Sequence, residues 1–194
     1  MKKLYITFFS LLALLIGGGI FYVSAYNKTN TKVPTDIAMQ DVNGKEVVLG
    51  KEPKKLRLVE FIYTNCPDVC PTTTLKMKAL RDQLVQDGSF GKSIEFWTIT
   101  IDPARDTQDV LKAYAKTFDM QKADGWYLLR GTEKDTKKFA DAFSFLYRDP
   151  GDGRFIHTSN TYLLDENNRL LEVFGMGENG FNNERVLKKI KAAM

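Results

Sequence analysis

Any thiol chemistry, or any metal site built on thiolate and imidazole donors, must in this chain use Cys66, Cys70 and His157, its two cysteines and its one histidine. The cysteines lie four apart in T-N-C-P-D-V-C-P, and the histidine follows far downstream. Two thiolates and an imidazole are the donor set that soft or borderline metals such as copper favour. They could hold three-coordinate Cu(I), or Cu(II) with an added oxygen. A structural zinc site would normally require a fourth protein ligand, which here only a carboxylate could supply. A redox-only dithiol more typically shows C-x-x-C. The longer C-x-x-x-C spacing, with a histidine downstream, favours metal over pure disulfide exchange.

Pro67 and Pro71 bias Cys66 and Cys70 away from helical backbone, so the motif reads as a loop leading into a helix. A helix N-terminus carries partial positive charge and free N–H groups, which stabilise a thiolate. The sulfurs can approach to disulfide distance or chelate one ion. Two cysteines do not make a disulfide framework, and so small a loop gains little entropic stabilisation from a bridge. A pairing of Cys66 with Cys70 would therefore be switchable chemistry rather than a staple.

By spacing alone, His157 reads either as a ligand or as a hydrogen-bonded structural residue of a strand. Alternative ligands are Met176 in F-G-M-G, and the carboxylates Asp68 and Asp152. Asp102, Arg105 and Asp106 could border the site, though helix capping and an ion pair explain them more simply. Trp97 and Trp126 read as core. Gly175-Met176-Gly177 does not read as a strand running into a full helix, so a nucleotide motif is not supported there.

The elements that must position these residues alternate. Asp36 to Leu49 reads as a hairpin turning at Asn43-Gly44. Leu56 to Tyr63 is a buried strand running straight into the cysteine motif. A helix from Thr72 to about Gln86 follows, with Leu75, Ala79 and Leu80 at helical spacing. Next come a strand Ser93–Ile101, a helix marked by Asp106 and Asp109 and running to Phe118, and a strand Trp126–Leu129. A helix Glu133–Phe145 carries Phe139, Phe143 and Leu146 on one face. Strands Phe155–Leu164 and Arg169–Phe174 and a closing helix Asn182–Ala193 complete the chain. This order predicts an α/β fold compatible with a thioredoxin-type core: a central mixed sheet flanked by helices, with an N-terminal hairpin.

No charge appears between Lys3 and Lys28. The apolar stretch between them is long enough for a transmembrane helix, and longer than most secretory signal cores. Residues 1–26 therefore read as a membrane anchor, with cleavage after Val23-Ser24-Ala25 as the alternative. No N-terminal cysteine is present for lipid modification. Residues 27–35 read as a linker and 36–194 as one domain on the extracytoplasmic face. The 28 basic and 24 acidic residues nearly balance, which gives no support to nucleic-acid binding.

The motifs F-I-Y-T-N-C-P-D-V-C-P, T-I-D-P-A-R-D-T and I-H-T-S-N-T-Y-L-L-D, in this order behind an apolar N-terminus, resemble the Sco/SenC family. The resemblance spans about Pro34 to the end. It implies a thioredoxin-like fold that binds Cu(I) or Cu(II), one ion per chain, through Cys66, Cys70 and His157. It implies service to the dinuclear copper A centre of cytochrome c oxidase subunit II. Delivery of copper without catalysis is the leading reading. The alternatives are a thiol–disulfide reductase that uses Cys66 and Cys70 as its redox pair, and a copper or redox sensor. Further partners would be the membrane and either a thiol reductant or another copper chaperone. Thioredoxin relatives usually carry a cis-proline before the T-Y-L-L-D strand. Ser159 fills that slot here, as fits the copper-binding branch.

Overall fold

The computed structural model describes residues 2–30, 33–34 and 36–194, with side chains of the first helix described over 5–22. That helix, α1 (Lys2–Asn30), continues through the start of the expected linker. Thr31, Lys32 and Thr35 of the linker lie outside the described residues. Tyr5–Tyr22 has a mean hydropathy of 1.9 and is long and apolar enough to cross a membrane.

The hairpin forms as expected. Strands β1 (Ala38–Asp41) and β2 (Glu46–Val48) pair antiparallel, with Gly44 at φ 82° in the turn, a value glycine takes without strain. Strands β3 (Leu56–Ile62) and β4 (Ile94–Thr100) pair in parallel and are buried at every position. Burial on both faces is why they read as continuous rather than alternating apolar runs. Arg57 and Glu95 face each other in this register, and Arg57 Nε donates to Glu95 Oε1 at 2.8 Å. The guanidinium also donates to Asn168 Oδ1 and the Pro53 carbonyl, and lies 4.6 Å from the Trp97 ring centroid. The charge is thus paired and bonded where burial would otherwise be costly.

Strand β5 (Trp126–Arg130) runs parallel to β4 and also joins β1. On the other side, β8 (Asn160–Leu164) and β9 (Leu170–Gly175) continue the sheet antiparallel to β3. The seven-stranded order is β2-β1-β5-β4-β3-β8-β9, which puts β3 between a parallel and an antiparallel neighbour. Helices α2 (Val69–Gln86), α3 (Gln108–Thr117), α4 (Glu133–Ala142) and α6 (Asn183–Ala193) flank it. A single-turn helix α5 (Gly177–Gly180) precedes the last. This is the expected thioredoxin-like mixed sheet.

Several local expectations are corrected. Helix α2 starts at Val69 rather than Thr72, so Cys70 lies in its first turn. Pro71 is tolerated there because first-turn N–H groups have no intrahelical partner to lose. The buried face of α2 is Cys70, Thr73, Thr74, Met77, Leu80, Arg81 and Leu84, while Leu75 and Ala79 are exposed. Thr107, not Asp106, caps α3, its side chain accepting from Val110 N. Helix α4 ends at Ala142, and Ser144 at φ 53° reverses the chain. That turn shifts the phase, so Phe145 enters the core and Leu146 is exposed.

The expected strand Phe155–Leu164 is split. Ile156–His157 (β7) pairs with Tyr147–Arg148 (β6) as a separate two-stranded ribbon, and only Asn160 onward joins the main sheet. Thr158 N–H bonds the Leu146 carbonyl, and its hydroxyl accepts from Leu146 N at 3.1 Å. Those bonds commit it to the ribbon. Ser159 marks the crossing, its carbonyl accepting from Met176 N, and the described residues include no cis peptide bond.

Candidate metal centre

The cysteine loop leaves the C-terminal end of β3, the edge where open α/β sheets usually bind ligands. Its first residues are anchored by Asp106. This buried carboxylate accepts from Thr64 N and from Thr64 Oγ1 (2.5 Å), and also from the Thr100 hydroxyl. Cys66 N–H closes a turn onto the Tyr63 carbonyl at 3.1 Å. The start of α2 then points backbone donors at the Cys66 sulfur. Cys70 N lies 3.4 Å from it, and Asp68 N–H is a second donor.

The fold carries the distant histidine to this loop. The ligand atoms of Cys66, Cys70 and His157 all lie within 4.8 Å of one another. Cys70 is buried, whereas Cys66 and His157 are partly exposed. His157 Nδ1 donates to the Thr158 carbonyl at 2.9 Å, which leaves Nε2 as the nitrogen available to the sulfurs. A histidine ligand is commonly oriented in this way through its other nitrogen. The ring is stacked on Phe145 and meets Tyr63 edge-on, both at 5.9 Å between centroids. Tyr63 in turn packs on Phe155 at 5.2 Å.

The electrostatics separate the two thiols. The Cys70 thiol donates to Cys66, and His157 with the Asp68 and Cys70 N–H groups adds to that effect, so Cys66 is held well below an ordinary thiol. Cys70 is pushed up, first by donating to Cys66 and then by burial. His157 is raised, chiefly by its hydrogen bond to Cys66. Burial, with the Cys66 charge adding to it, pushes the Tyr63 hydroxyl up to about 12. Both directions favour ionisation at Cys66 over Cys70.

Among the described residues, Cys66, Cys70 and His157 are the group of His, Cys, Asp and Glu side chains placed to hold a metal. Asp68 and Asp152 do not join it; Asp152 instead accepts from Arg154 N in its own turn. Met176 is buried in the core as an apolar residue, and Gly177 N beside it donates to Thr73 Oγ1. Arg105 pairs with Asp102, as the simpler reading held, whereas Asp106 caps no helix and anchors the cysteine loop. Trp97 and Trp126 are core residues. Sequence reasoning missed Phe145, Tyr63 and the Thr158 carbonyl as the setting of the imidazole. The alternating Phe143, Phe145 and Tyr147 were the one available signal. A set of two sulfurs and an oriented imidazole suits a soft or borderline ion and offers little to a hard one.

The family model described as SCO1/SenC matches residues 27–194. An SCO2-like protein of Rickettsia typhi is 35% identical over 153 residues, covering 76% of this chain and 72% of the relative. The crystal structure of a SCO1/SenC family lipoprotein from Bacillus anthracis matches with a TM-score of 0.74 at 25% identity, covering 84% of this chain and 96% of that one. The structure of Bradyrhizobium japonicum ScoI with copper bound matches with a TM-score of 0.69 at 25% identity, covering 84% of this chain and 99% of that one.

Proposed function

The chain belongs to the SCO1/SenC family, and from that premise we propose that it binds one copper ion through Cys66, Cys70 and His157 and passes it to the dinuclear copper A site of cytochrome c oxidase subunit II. The observation that carries the reading is the convergence of three donors, two from one loop and one from a separate ribbon, within 4.8 Å. A bound relative supports the choice of metal, since ScoI of Bradyrhizobium japonicum holds copper. Copper here is cargo. The protein's own part is to keep Cys66 ionised, to present Nε2 and to leave the site partly open for a partner's ligands.

In this reading residues 1–26 anchor the protein in the membrane and 27–35 act as a linker. Residues 36–194 then form the copper-binding domain on the extracytoplasmic face, where subunit II is reached. A thiol reductant or another copper chaperone would restore the loaded dithiol form.

A second reading has its own support in the unequal thiols. Cys66 thiolate would attack a disulfide of the partner to form a mixed disulfide, and Cys70 would then resolve it. Two electrons would leave this chain as a Cys66–Cys70 disulfide, and the partner would emerge with two thiols. His157→Ala separates the readings. It should abolish oxidase assembly while leaving disulfide exchange intact if copper delivery is the function. Assembly at the wild-type level in that variant would sink copper delivery and leave the reductase.

A further inference from the structure

The β6–β7 ribbon that carries His157 has no ladder bonds to the seven-stranded sheet. Beyond its short link into β8, side-chain contacts therefore help to hold it over the cysteine loop, and one cation outside the donor set is placed to do so. Arg105 Nε donates to Asp102 Oδ2 at 2.5 Å, and its Nη2 to Asp149 Oδ2 at 2.5 Å. Asp102 is buried just beyond β4, a fixed point of the scaffold. Asp149 lies in the turn between β6 and β7, where its Oδ1 accepts from Gly151 N (2.8 Å) and Gly153 N (3.2 Å). The guanidinium also sits 5.5 Å from the Phe155 ring centroid. A Cβ on Gly153, which is at φ +77°, would lie 3.1 Å from Arg105 Nη1. Phe155 packs on Tyr63, and Tyr63 meets the His157 ring.

We propose that Arg105 is a positioning residue of the metal site, a latch that ties the 149–155 turn to the end of β4 and so holds His157 over Cys66 and Cys70. The proposal rests on His157 being a copper ligand. An isolated exposed ion pair contributes little. Arg105 differs in bridging two carboxylates and a ring across two parts of the chain, a task its planar fork suits and lysine's point charge does not. It touches none of the three donors, so its effect must pass through the ribbon.

The test uses the reduced full-length chain in detergent. Without metal, Arg105→Ala and Asp149→Asn should each raise hydrogen exchange in residues 146–158, with the double variant no worse than Arg105→Ala. Copper affinity should fall about tenfold or more in Arg105→Ala, the range typical of groups that orient a ligand, with partial recovery in Arg105→Lys. In a His157→Ala background, Arg105→Ala should cause no further loss. Unchanged exchange in the ribbon would overturn the latch, as would an equal loss of affinity with and without the imidazole. A wild-type affinity indifferent to His157 would overturn the ligand assignment instead, and the exchange data would still judge the latch.

Discussion

The Phe145 and His157 rings lie stacked, with centroids 5.9 Å apart and planes 21° from parallel. Phe145 also stacks on Phe61 at 4.4 Å and is fully buried. One aromatic therefore joins the core of β3 to the imidazole. Phe145→Ala should cost about 3–5 kcal/mol of stability, as for other buried phenylalanines. Urea unfolding of the metal-free protein measures it. A loss below about 1 kcal/mol would mean the ring is not seated as described.

Asp106 secures the start of the cysteine loop. Asp106→Ala would leave Thr64 N, the Thr64 hydroxyl and the Thr100 hydroxyl without their acceptor. The expected cost is about 1–3 kcal/mol, with Asp106→Asn milder because one oxygen remains. Thermal or urea unfolding of the two variants beside wild type decides this, and equal costs would argue against the hydrogen-bonded role.

Glu60 is fully buried in β3, accepting from the hydroxyls of Thr74 and Thr98. Burial pushes its carboxyl from 4.5 up to about 8. The folded chain thus keeps a proton that the unfolded chain releases at lower pH. This contribution to stability is complete below the unfolded value and is lost as pH rises through the folded one. The slope is at most about 1.4 kcal/mol per pH unit in that window. Glu60→Gln removes the slope, so its stability relative to wild type should improve steadily toward alkaline pH. Denaturant titrations across the window that gave a constant difference would contradict the buried acid.

Gly175 and Gly180 bring two backbones together beside α5. A Cβ on Gly180 would lie 2.9 Å from the Gly175 carbonyl carbon, closer than packed atoms tolerate. Gly180→Ala should therefore destabilise by about 1–3 kcal/mol through forced separation of the two segments. A variant as stable as wild type by calorimetry would show that the approach is looser.

What the sequence made legible was what local pattern encodes. The Asn43-Gly44 turn, the apolar runs of β3 and β4 and the scarcity of Cys and His all pointed to their structural outcomes. What it concealed depends on contacts distant in sequence. The break at Thr158 and Ser159 is invisible in an unbroken β-like run, because the competing partner, Leu146, sits across the ribbon. Asp106 looked like a cap since its true partner, Thr64, lies far upstream. Cys70 entered the first turn of α2 against the local bias before proline, as its N–H is bonded to Cys66 Sγ.

Copper titration of the reduced full-length chain, run beside its oxidised form and the His157→Ala variant, tests the central claim most directly. Reduced wild type should take up about one equivalent and show a sulfur-to-Cu(II) charge-transfer band. Oxidised protein should take up none, and His157→Ala should bind far more weakly. Equal uptake by all three would show that the two sulfurs and the imidazole do not form the copper site.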